Sequence, residues 1–370
     1  MLPTLSTAER LSLRSRCSVH FNDHPLVAPA DEFATMAGWC AQHQVEADKY
    51  GDGALINGFE KKVATLLGKP AAVFLPSGKM AQLIAARIHT ERTGIDRIGM
   101  HATSHLMLHE ARAYAELLHL QGALIGSPDK PISADDLASV TDPLGCLLLE
   151  LPMRECGGVL PTWAQLQELT ALARARGIPL QLDGARLWEC GPYFVPNTYA
   201  AIAGLFDSVY VSFYKGIGGV SGAMLLGEAD FIASARTWQV RFGGQLPQQT
   251  AAVVSAAMRF DDRLAAMPRY VERAAGLARA LASIPGVNVQ PAQPPTNLMH
   301  AIFDCSAAAL ARARDALAQH DGLWAMGTPV ALAGDRLAKV ELYVGDNLLT
   351  IDDATVVAVW TSLLAQARAI

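Results

Sequence analysis

The segment "QLDGARLWEC" (residues 181–190) sets an acid, Asp183, three positions before a base, Arg186, directly behind an apolar run. Further on, "VSFYKGIGG" carries a lone lysine, Lys215, and "LPSGKMA" places Ser77, Gly78 and Lys79 behind another apolar run. A lysine after a strand is most often a solvated surface residue. The glycines flanking Lys215 argue for more, because they let backbone approach a ligand closely and leave room around a planar group. A partly desolvated lysine there suits Schiff-base chemistry. Asp183 taken alone fits a helix N-cap or a loop acid equally well. Coupled to such a lysine, it has a definite use: a carboxylate against a pyridine nitrogen keeps that nitrogen protonated and makes pyridoxal phosphate an electron sink. Ser77 and Gly78, opening a helix, would offer free N–H groups to the phosphate.

These residues must be held by ordered elements, and the pattern supplies them. From about residue 70, short apolar runs alternate with amphipathic ones, the rhythm of a mainly parallel sheet covered by helices. "AAVFLP", "LGCLLLELP", "IPLQLD" and "DSVYVSFY" read as strands, and helices are expected from Ser77 to Gly94 and over "PTWAQLQELTALARARG". Ligands of such sheets bind beyond the carboxyl ends of the strands, where Ser77, Asp183 and Lys215 would all lie. After about residue 255 the chain turns to alanine-rich helices, a proline-marked stretch at 290–297 and a final helix near 352–369. The expected organisation is an N-terminal arm (1–50), a large α/β domain (51–255) and a smaller C-terminal α+β domain (256–370).

Composition narrows the function. Of 370 residues, 51% are hydrophobic and 18% charged, which is enough to build a substantial core. A net charge of −5 without a basic block disfavours nucleic-acid partners, and no apolar stretch reaches membrane-spanning length. Six cysteines without a C-x-x-C pair suggest reduced thiols rather than zinc or disulfides, and hence a soluble cytoplasmic protein. His101, His105 and His109, spaced as on one helical face with Glu110 nearby, raise a metal site as an alternative, but "HATSHLMLHEA" is not H-E-x-x-H and no metal is expected. Neither nucleotide-binding glycine pattern is complete.

"YGDGALINGFEKKVATLLGKPAAVFLPSGKMA", "SHLMLHE", "GIPLQLDGARLWE", "SFYKGIGGVSGAMLLG" and "VRFGGQLPQQ" resemble successive blocks of the L-threonine aldolase and β-eliminating lyase family of fold-type I pyridoxal phosphate enzymes, from about Tyr50 to Asp304. The resemblance implies Lys215 as the lysine that binds the cofactor aldehyde, Asp183 as the pyridine-nitrogen partner, and Arg186 as a contact to cofactor O3′ and substrate carboxylate. By the same likeness, Ser77, Gly78 and Lys79 would hold the phosphate. His105 would stack over the ring and take part in proton transfer. The implied reaction is retro-aldol cleavage of a β-hydroxy-α-amino acid to glycine and an aldehyde, in a homodimer or homotetramer.

Four positions depart from the family pattern. Lys79 stands where threonine is usual. Pro247 replaces an arginine that reaches a cofactor phosphate across the dimer, and Lys79 would supply the lost cation locally. Met153 occupies the place of a pocket histidine. Glu341 falls where an arginine normally grips the substrate carboxylate, with Arg336, Lys339 and Arg154 as other candidates for that task. The rival readings are β-elimination on another amino acid with the same cofactor, and a cofactor-binding protein whose catalysis has decayed.

Overall fold

The structure, a computed structural model, describes residues 5–332 and 334–369. The described chain forms two compact units: one from residues 29–155 and 160–266, the other from residues up to Ala28, 156–159, and Met267 onward.

The larger unit is built on a seven-stranded sheet in the spatial order Ala71–Leu75, Ala223–Gly227, Ser208–Ser212, Leu180–Gly184, Cys146–Glu150, Arg97–His101, Gln121–Ile125. All strands but Ala223–Gly227 run in one direction. The central strands Ser208–Ser212 and Leu180–Gly184 are buried throughout, as expected of a sheet covered on both faces. On one face, Val73, Leu75, Tyr210 and Leu225 pack against Ala81, Ile84 and Ile88 of the helix Gly78–Thr93 and Phe231 and Ile232 of the helix Ala229–Arg241.

Four helices of this unit start on side-chain caps, from Ser77, Ser133, Thr162 and Thr198. Ser77 caps the Gly78–Thr93 helix by accepting a hydrogen bond from the Met80 N–H at 3.3 Å, and Gly94 ends it in the left-handed region, φ +71°. The helix over 163–175 opens on Thr162, whose side chain and that of Gln165 cap each other's backbone N–H, so it begins two residues after the expected Pro161.

The smaller unit carries a four-stranded antiparallel sheet in the order Val330–Leu332, Leu337–Tyr343, Leu298–Phe303, Val287–Gln290, with the helices Ala307–Asp321 and Asp353–Ala369. Phe21, Phe303, Leu310, Val340 and Trp360 share its core. Residues 1–50, expected as one arm, divide between the two units: up to Ala28 they pack with the C-terminal unit, and from Pro29 with the large one. Val19 and His20 pair in parallel with Leu323 and Trp324, a long-range bridge with no local sequence signature. The expected break at 255/256 falls inside the continuous helix Thr250–Leu281, and the units change over at Ala266/Met267.

Candidate active site

Three parallel strands end side by side, and their registry sets the centre of the site. Glu150, Asp183 and Tyr210 are direct neighbours across the sheet, so their side chains leave the same face. Asp183 is 2% exposed, and its Oδ1 accepts the Ala185 N–H at 3.1 Å, a bond that fixes the carboxylate within its own turn. The turn after it is tied to the Lys215 segment twice. Trp188 Nε1 donates to the Ser212 carbonyl at 3.0 Å, and the Ser212 hydroxyl donates to the Ala185 carbonyl at 2.7 Å.

Lys215 follows the Ser208–Ser212 strand within the reversal that returns as Ala223–Gly227. Burial foremost, and the Arg186 guanidinium next, bring its amine down from the ordinary lysine range to about 8, against the opposing pull of Asp183, Glu150 and Glu189. A lysine so placed carries an appreciable fraction of free amine near neutral pH, the form that attacks a carbonyl. The reversal depends on glycine: Gly222 has φ +104°, and a Cβ there would meet the Phe74 ring at 2.3 Å.

The helix N-terminus at Ser77–Gly78 is packed directly on the Asp183 neighbour. A Cβ on Gly78 would lie 1.8 Å from the Tyr210 hydroxyl, so only glycine lets the helix start so close to the strand ends. Lys79, at the second helical position, is exposed. Burial pushes the Tyr210 hydroxyl far up, so it stays protonated.

His105 opens a short helix, His105–Leu108. Its backbone N–H donates to Glu150 Oε2 at 3.2 Å, and its ring Nδ1 donates to Glu110 Oε1 at 2.9 Å, leaving the Nε2 lone pair as the basic one. Buried Glu110 also accepts from Gln82 Nε2 at 3.0 Å, and Gln181 Nε2 donates to the Gln82 carbonyl at 3.3 Å. A polar chain thus runs under the site from the Asp183 strand to His105. Glu150 accepts a second backbone bond, from the Arg154 N–H at 3.1 Å, so one carboxylate anchors two loops. Burial first, then the Asp183 charge, pushes its carboxyl up to about 7.

The structure therefore gathers Lys215, Asp183, Arg186, His105 and Ser77–Lys79 within one compact unit. Arg154 belongs to the same unit, half-buried beside Glu150. Glu341, Arg336 and Lys339 belong to the C-terminal unit, where Glu341 stands opposite His300 in the antiparallel ladder. Met153 is buried in an apolar wall with Ile132, Leu149 and Leu151. Pro247 is exposed, and its carbonyl accepts from the Tyr50 N–H at 3.0 Å. His101, His105 and His109 do not share a helical face: His101 ends a strand, and its ring nitrogens meet the Thr103 hydroxyl and the Ser127 carbonyl, each at 2.7 Å. No group of three or more potential metal ligands occurs among the described residues.

Sequence reasoning gives no role in the site to Glu150, Tyr210, Gln82 and Gln181, and it considers Glu110 only for a metal. The available signal is position: Glu150 closes an apolar strand at its junction with a loop, and Gln181 interrupts a buried one.

A desolvated amine beside a buried carboxylate, and a capped helix start that only glycine permits, are the donor set that a pyridine aldehyde phosphate needs, so the residues fit that cofactor. The fold and this site define a pyridoxal phosphate-dependent enzyme of fold type I. The β-eliminating lyase family model matches residues 31–303, and the chain belongs to that family. A solved structure from Exiguobacterium sp., described as an aromatic amino acid β-eliminating lyase/threonine aldolase, is 37% identical over 96% of this chain and 99% of its own, with a TM-score of 0.88. One from Listeria monocytogenes, described as an L-allo-threonine aldolase, is 34% identical over 96% of this chain and 98% of its own, also with a TM-score of 0.88. The low specificity L-threonine aldolase of Escherichia coli K12 is 29% identical over 303 residues, 79% of this chain and 89% of that one.

Proposed function

We propose that the chain cleaves β-hydroxy-α-amino acids to glycine and an aldehyde. The observation that carries this reading is the Lys215 amine, held at about 8 among Arg186, Asp183 and Glu150 in the unit that also presents His105. Relatives described as threonine aldolases support it. Lys215 would hold the cofactor aldehyde, Asp183 its ring nitrogen, and Ser77, Gly78 and Lys79 its phosphate, with Lys79 supplying the cation that Pro247 cannot. Pyridoxal phosphate, when bound, supplies a protonated ring able to take up the electron pair of a broken bond at Cα. Arg186 would grip the substrate carboxylate as a fixed fork, with Arg154 as the second cation within reach of the strand ends. His105, its Nδ1–H committed to Glu110, presents Nε2 to accept or return a proton. Buried Met153 adds apolar wall and no base, which favours an apolar β-substituent such as the phenyl of phenylserine.

Product analysis tests this. Incubation with threonine, allo-threonine and phenylserine is expected to release glycine and the matching aldehyde. 2-Oxobutanoate and ammonia from the two threonines, or phenylpyruvate and ammonia from phenylserine, would assign β-elimination instead. Loss of product with a retained borohydride-sensitive band near 410–430 nm, the general range for a lysine-bound cofactor, would mark decayed catalysis.

The same reading extends to a homodimer or homotetramer, supported by exposed Tyr50, Leu108, Tyr214, Val220 and Leu246 on the large unit. A cytoplasmic location fits six cysteines that are all held as thiols, outside any disulfide. No helix among the described residues is long and apolar enough to cross a membrane.

A further inference from the structure

His109 lies one turn after His105, and their ring centroids are 5.1 Å apart. Its Nε2 donates to Glu155 Oε1 at 2.9 Å, which leaves Nδ1 as the nitrogen offered to a ligand. Glu155 is held in turn by Arg154 Nη1 at 3.3 Å. The Arg154 N–H and the His105 N–H both sit on Glu150. The contacts close a ring, Glu150–Arg154–Glu155–His109–His105 and back to Glu150, which begins next to Asp183 in the sheet. An incidental surface His–Glu pair would have no reason to join such a circuit. Within it the two histidines differ. His105 is pinned by backbone and by buried Glu110, whereas the His109 side chain is 39% exposed and held by Glu155 alone among these carboxylates.

We propose that His109, oriented by Glu155, is a second proton-handling residue of this site, the one that takes the substrate's β-hydroxyl proton. This rests on the retro-aldol reading above. The O–H bond breaks to His109 Nδ1, the oxygen pair closes the aldehyde C=O, and the Cα–Cβ pair stays with the glycine fragment. That fragment takes up a proton, so one proton leaves oxygen and one returns to carbon. Met153, in its apolar wall, offers no group for this task.

The test compares His109→Asn and Glu155→Gln with the unaltered holoenzyme in two reactions: aldehyde release from phenylserine and threonine, and exchange of the glycine α-proton in D2O followed by NMR. Glycine has no β-hydroxyl. His109→Asn is therefore expected to lower kcat for cleavage about 100-fold, the usual weight of a general base, and to leave glycine exchange within about twofold. Glu155→Gln, which keeps the imidazole but loosens it, should cost about tenfold in cleavage alone. Unchanged cleavage, or equal losses in both reactions, would overturn the assignment. Failure of the unaltered enzyme to release glycine from any β-hydroxy amino acid, with glycine exchange intact, would instead overturn the retro-aldol reading and the proton assignment with it.

Discussion

At the scale of single residues, the site works by moving proton affinities toward neutrality. Lys215 loses affinity through burial and Arg186, while Glu150 gains it through burial and Asp183. Capture of pyridoxal phosphate by the cofactor-free protein needs the free amine, so its rate should rise with pH and level off above about 8, instead of climbing toward the ordinary lysine range. Because the Glu150 charge favours protonated Lys215, Glu150→Gln should shift that midpoint below about 8; stopped-flow absorbance across pH reads both effects. A midpoint that stayed in place or rose on this substitution would show that Glu150 does not stabilise the charged amine. Asp183, Arg186 and Lys215 could be picked out as candidates in the sequence by their types and order, and the structure places them in one compact unit. Glu150 could not be, since its role comes from standing beside Asp183 in the sheet, and strand registry is not written along the chain.

At the scale of elements, the decisive contact is helix start against strand end. Ser77 could be recognised as a helix start and Gly94 as a stop, but Gly78 read only as an N–H donor to phosphate at that start. Its neighbour Tyr210 lies on a strand far along the chain, and only the folded sheet makes the glycine obligatory. Gly78→Ala should cost about 1–3 kcal/mol in denaturant unfolding, the range for overpacking a well-filled core, because Tyr210 is 1% exposed and has nowhere to move. Adding Tyr210→Phe should recover only part of the loss, since the ring carbon Cζ would still stand 2.3 Å from the new methyl. Full recovery would point to the hydroxyl alone. The strands and crossover helices of the large unit were readable from period and capping. The reversed direction of Ala223–Gly227 was not, because a buried apolar run carries no sign of which way it points.

At the scale of the whole molecule, the C-terminal unit draws on the beginning of the chain, which the sequence presented only as an arm. Phe21 is fully buried in that unit's core, and Arg10 Nε donates to Asp315 Oδ2 at 2.9 Å. Asp315 also pairs with Arg314, a buried cation that bonds the Gly327 carbonyl and lies over the Trp324 ring. An aspartate serving two arginines should be expensive to remove. Asp315→Ala is expected to cost about 3–5 kcal/mol, as when a buried pair loses one partner, measured as a fall in the denaturation midpoint. A loss below about 1 kcal/mol would mean that water already reaches the guanidinium. None of this was foreseeable from composition, since partners 305 positions apart leave no trace in local pattern.

The return from Ser212 to Ala223 is the shortest connection in the seven-stranded sheet, and it alone joins consecutive strands as antiparallel neighbours. The Phe213 N–H on the Gly222 carbonyl and the Gly219 N–H on the Phe213 carbonyl close it from within. Every other link in that sheet is a longer crossover. The Lys215 amine is thus mounted on the tightest leash available, and solvent deuterium should reach the amides of residues 213 and 219 last among the connecting segments.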